Sequence, residues 1–124
     1  MRGDLKAACR PLGLGERFVW RQQLRTAESW LDPSETVQAL APGWWRGHRS
    51  LAVVTTSRLL LIHPELEQSS SQGVFALRSI SQLNVHATPP DGARFRVKWG
   101  LNLEEFTLPR HAAEFEHALR AVLP

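Results

Sequence analysis

Ser50 to His63 reads SLAVVTTSRLLLIH, and the rest of the chain has to be arranged around it. Two aliphatic and β-branched runs, Leu51 to Val54 and Leu59 to Ile62, flank Thr55, Thr56, Ser57 and Arg58, whose polar side chains suit a tight turn. The stretch predicts a β-hairpin. Leu59, Leu60, Leu61 and Ile62 are apolar without alternation, so the second strand is expected to be covered on both faces, with helices as the outer cover.

Working outward, Trp20, Leu24, Ala27 and Leu31 recur at helical spacing, and Glu16 to Leu31 is expected to form one amphipathic helix ended by Asp32 and Pro33. Its stripe needs a surface, either this chain's own sheet or a second copy, and it is the candidate self-association stripe. Met1 to Gly15 reads as partly ordered, with a short helix over Asp4 to Arg10. Glu35 to Ala41 alternates weakly as a first strand, and Pro42 and Gly43 are expected to break it into a loop, PGWWRGHR. Pro64 to Gly73 reads as a solvated loop. Val74 to Leu77 and Ile80 to His86 read as short strands, with a bulge near Gln82.

Pro89, Pro90, Asp91 and Gly92 are turn residues. Phe95, Val97 and Trp99 alternate with Arg94, Arg96 and Lys98, predicting a half-buried strand with a cationic outer face. A last strand points Phe106 and Leu108 inward. Pro109 stands where a helix would start, and Ala112, Phe115, Leu119 and Val122 give that helix its apolar stripe. The expected fold is mainly β: seven strands in a bent antiparallel barrel whose end is plugged by a C-terminal helix. Small barrels of this kind are expected to leave an edge between the first and last strands.

The 124 residues fit one core-forming domain plus a short N-terminal appendage. Cys9 is the only cysteine, which excludes an intrachain disulfide and a thiolate metal cage. No apolar run reaches the roughly 18 residues of a membrane span, and Met1 to Arg10 contains no apolar signal core. A cytoplasmic protein is expected. The formal charge is +3, but residues 1 to 25 hold six basic against two acidic residues, so the remainder nets −1. That balance argues against nucleic acid as a partner.

From Asp32 to Leu123 the chain resembles the bacterial pleckstrin-homology domains of the YokE-like kind. The resemblance rests on Glu35 and Val37 at the first strand, LAVVTTSRLLLIH with Thr55 and Arg58 in its turn, FALRSISQLNV centred on Ile80, and the closing HAAEFEHALRAVL. It implies a seven-stranded PH-like barrel with a C-terminal helix over residues 32 to 124, preceded by an added segment, 1 to 31, that lies outside the resemblance. PH-like scaffolds host lipid, peptide and protein ligands, so the resemblance implies a binding role without a ligand.

The candidate interaction residues are Trp44, Trp45, Arg46, His48 and Arg49; paired aromatics beside arginines suit a protein interface or a lipid boundary, while the alternative is that both rings pack, one under the N-terminal helix and the other over the barrel mouth. The basic loop lacks the lysine by which eukaryotic PH domains hold phosphoinositide head groups. Arg94, Arg96 and Lys98 could read as a phosphate stripe, but Glu104 and Glu105 on the next strand are expected to pair with them. His111 and His117 stand about 120° apart around a helix, which does not make a metal site. Cys9 lacks a neighbouring histidine and reads as a spectator. The expectation is a non-enzymatic module without cofactor that binds protein, its own copies included, through the N-terminal helix or a strand edge. The alternative is peripheral attachment to anionic lipid, at the inner membrane face, through the basic N-terminal segment and the Trp44 to Arg49 loop.

Overall fold

The computed structural model describes residues 1–63 and 73–124; of the solvated loop expected over Pro64 to Gly73, all but Gly73 lies outside the described residues. In chain order the elements are α1 (Gly3–Ala8), α2 (Leu14–Val19), α3 (Arg21–Trp30), β1 (Val37–Trp45), β2 (His48–Thr55), β3 (Arg58–Ile62) and β4 (Val74–Ala76). A 3-10 turn (Leu77–Ser79) leads to β5 (Gln82–Thr88), β6 (Gly92–Trp99), β7 (Asn102–Leu108) and α4 (Ala112–Val122).

The expected hairpin is β2 and β3, paired from Leu51 opposite Ile62 to Val54 opposite Leu59. Both faces of it are covered. Ala52, Val54, Leu59 and Leu61 join an inner core with Phe95, Phe106, Phe115 and Leu119, while Leu51, Val53, Leu60 and Ile62 join an outer core with Leu5, Trp20, Leu24 and Ala27. The lack of alternation in that stretch is therefore a two-layer signature: α4 fills the inside of the bent sheet, and α1 and α3, with Cys9, Leu12 and Trp20 from the connections around α2, cover its outside. Phe115 meets Phe95 and Phe106 edge-on, with ring centroids 5.7 and 6.0 Å away.

The seven strands form one antiparallel sheet in the order β4-β3-β2-β1-β7-β6-β5, bent but unclosed. This corrects the position of the open edge. First and last strands are joined, Trp44 opposite Thr107 and Trp45 opposite Phe106, and the ends of the sheet are β4 and β5.

Four local expectations change. The helix over Glu16 to Leu31 is broken at Trp20, whose φ of −96° and ψ of 11° turn α2 into α3. Pro42 and Gly43 do not end β1, which runs to Trp45: Pro42 precedes the stretch where β7 pairs, so its missing N–H costs no ladder bond there, and Gly43 lets β7 approach. A Cβ at Gly43 would overlap the Thr107 carbonyl oxygen. The strand expected from Ile80 starts at Gln82, and its register with β6 is continuous; a shift occurs instead between Val37 and Ala39. Pro109 follows β7, and α4 begins only at Ala112.

A polar clasp ties the N-terminal helices to the hairpin. Buried Glu35 accepts hydrogen bonds from the Thr55 hydroxyl (2.6 Å), the Ser57 hydroxyl (3.0 Å), the Asp32 backbone N–H (2.8 Å) and the Arg58 guanidinium. Arg58 also donates to the Trp30 carbonyl, and Asp4 accepts from the Val37 N–H at 2.7 Å. Burial alone would oppose ionisation of Glu35, but these donors, Arg58 foremost, outweigh it and lower its pKa to about 2.

Candidate interaction surfaces

Two-residue connections favour left-handed turn residues, and β1 and β2 are joined by Arg46 and Gly47 at φ of 52° and 77°. The expected PGWWRGHR loop is thus a hairpin end, and strand alternation sends its tryptophans to opposite faces. Trp45 is buried in the inner core and donates its indole N–H to Glu104. It cannot meet a partner, which corrects its place among the interaction residues. Trp44 is 50 % exposed.

The other members of that set have neighbours of their own. Arg46 forks onto Glu104 at 2.9 and 3.0 Å and lies over the Trp45 ring. His48 stacks on His63 with centroids 4.6 Å apart, and Arg49 lies over Trp20. Trp20, Leu24 and Ala27 are buried and Leu31 half-buried, all against the chain's own sheet. Of the two surfaces open to that stripe, the intramolecular one is taken, so a second copy cannot use it.

What α2 leaves outside is a different set. Leu14, Phe18 and Val19 are 85, 65 and 55 % exposed. Val19 and Trp44 line one cleft of about 380 Å³ with Arg49, Arg110 and Glu16, the last two 3.3 Å apart. Sequence reading passed over Leu14, Phe18 and Val19 because the 20/24/27/31 stripe accounted for the segment.

The second open surface is β5. Its partner on one side is β6, from Gln82 opposite Lys98 to Thr88 opposite Gly92; on its other side no described strand pairs with it. Its sequence, QLNVHAT, holds no lysine, arginine, carboxylate or proline. Those are devices by which edge strands resist pairing.

The cationic face of β6 is partly neutralised: Arg96 reaches Glu105 at 2.9 Å and Arg94 reaches it at 3.8 Å. Glu104, expected beside them, points to the inner face with Phe106 and serves Trp45 and Arg46. Cys9 is buried, and burial pushes its thiol pKa up, against a nucleophilic role. Among the described residues Asp91, His111 and Glu114 bring ligand atoms within 4.8 Å of one another, a grouping that linear spacing did not suggest; Asp91 there accepts the His111 backbone N–H at 3.0 Å, as a helix cap would. No helix among the described residues is long and apolar enough to cross a membrane.

No protein-family model matches the chain, and no curated protein matches it. Solved structures do. A DUF1696-family protein with a pleckstrin-homology domain from Shewanella loihica PV-4 is similar at TM-score 0.52 and 12 % identity, over 84 % of this chain and 92 % of that one. A pleckstrin-homology domain from Shewanella amazonensis SB2B is similar at TM-score 0.44 and 17 % identity, over 83 % and 97 %. The first likeness establishes a PH-like fold.

Proposed function

We propose that this chain is a non-enzymatic PH-like interaction module that binds protein, its own copies included. The observation that carries the reading is the seven-residue β5 edge, whose backbone groups on the side away from β6 pair with no described strand and are a template for an added one. Sedimentation equilibrium of the full chain tests it. Concentration-dependent association below about 200 µM is expected, because a strand-edge contact is small and weak; a monomer throughout that range contradicts binding to its own copies.

A second reading is favoured by the α2 and Trp44 surface. Exposed Val19 and Trp44 beside Arg49 and Arg110, with Leu14 and Phe18 exposed on the same short helix as Val19, match the chemistry of an anionic lipid boundary, where rings and aliphatic groups enter and arginines meet head groups. Co-sedimentation with phosphatidylglycerol vesicles at low and raised salt tests this. Binding that weakens with salt supports it, and no bound fraction at low salt ends it.

A further inference from the structure

The edge strand is self-complementary. Laid antiparallel on a second copy of itself with Val85 opposite Val85, it places Leu83 opposite Ala87, Asn84 opposite His86 and Gln82 opposite Thr88. Apolar residues then face apolar ones and polar face polar, at all seven positions. Like charges directly opposed across a pair of strands destabilise it, and here no two residues of one charge stand opposite each other, because the strand holds no lysine, arginine or carboxylate and His86 faces Asn84. Arg94, Arg96 and Lys98 sit one strand further in, opposite His86, Asn84 and Gln82.

Leu83 and Val85 are half-buried at the rim of the inner core, packed against it but not closed over. A neighbouring strand would continue the apolar face they begin. Gln82, Asn84, His86, Ala87 and Thr88 are exposed, so the strand is accessible along its length. At the other end of the sheet β4 has only three residues. A two-fold contact at β5 uses the same strand on both copies and, among the described strands, leaves only that short edge, so it closes as a dimer and does not propagate.

We propose that two copies of this chain pair through β5, antiparallel and two-fold about Val85, joining two seven-stranded sheets into one. The proposal rests on the reading that the chain binds its own copies and adds which strand and which register do it. The partner is a second copy because the strand's polarity pattern is its own complement.

Three measurements on the full chain test it: sedimentation equilibrium, the same for Ala87→Lys, and oxidative cross-linking of single cysteine variants. Ala87 is exposed, so the lysine leaves the fold intact but sets a charge opposite Leu83 of the second copy, and dimerisation should weaken at least about tenfold. Val85→Cys should cross-link to itself, while Asn84→Cys and His86→Cys should cross-link to each other when mixed and lag when alone; Cys9 is buried and serves as the unreactive background. If wild type is monomeric through about 200 µM, the binding of copies and this register both fall. If wild type associates but Ala87→Lys matches it and none of these cysteine pairs forms, the register falls and the broader reading stands.

Discussion

Replacing Glu35 with glutamine keeps the shape of a buried side chain and removes its charge from a site built to hold it ionised. Four kinds of donor converge on that carboxylate: Thr55 and Ser57 hydroxyls, the Asp32 N–H and the Arg58 guanidinium. A pKa carried from 4.5 down to about 2 corresponds to about 3 kcal/mol of stability near neutral pH, since each unit is worth about 1.4 kcal/mol. The sign follows from the direction. Because the folded pKa is the lower one, the stabilisation is fully present above pH 4.5 and is lost as pH falls towards about 2. Urea denaturation of wild type and Glu35→Gln should therefore differ by about 3 kcal/mol at pH 7, and the gap should narrow steadily between pH 4.5 and about 2. Taking the difference cancels other carboxylates such as Asp4, whose pKa is also lowered in the fold, held down by donors that include the Val37 N–H and Arg2 against the opposing effect of burial. A gap below about 0.5 kcal/mol at pH 7, or one that ignores pH, would refute the clasp.

Gly43→Ala should cost about 3 kcal/mol or more in denaturant unfolding, because its Cβ needs the space of the Thr107 carbonyl and β1 must part from β7. Phe115→Ala should cost about 3–5 kcal/mol by the same assay, having emptied the centre of the inner core. Phe18→Ser combined with Trp44→Ser should change stability by no more than about 0.5 kcal/mol per site, since both side chains are largely exposed, and should abolish any vesicle binding. Vesicle binding undiminished in that double variant would remove α2 and Trp44 from the lipid reading.

The elements most legible in the sequence were those with an unambiguous period. Leu59 to Ile62 announced two covered faces, Phe95, Val97 and Trp99 announced one, and Ala112, Phe115 and Leu119 marked a helix; all six of those last residues except half-buried Trp99 are buried. The break at Trp20 left no trace because the hydrogen bonds Trp20 N–H to Glu16 and Leu24 N–H to Trp20 carry the same stripe across it. Glu104 could have been placed correctly by parity with Phe106 and Leu108, which turns it inward and Glu105 outward; weighing charge pairing before parity hid it. The open β5 edge was not legible, since it depends on β1 meeting β7, a contact between residues about sixty positions apart. Pro42 and Gly43 misled for the same reason: as local signals they break a strand, and only the crossing of β7 turns the glycine into a requirement.

Amide hydrogen exchange over residues 82 to 88, followed as the chain is concentrated, tests the central claim most directly. Alternate β5 amides, those not bonded to β6, should exchange freely in dilute solution and gain protection as concentration rises, while β6 and β7 stay constant. Protection of those amides that is already complete in dilute solution, or that never changes with concentration, would contradict it.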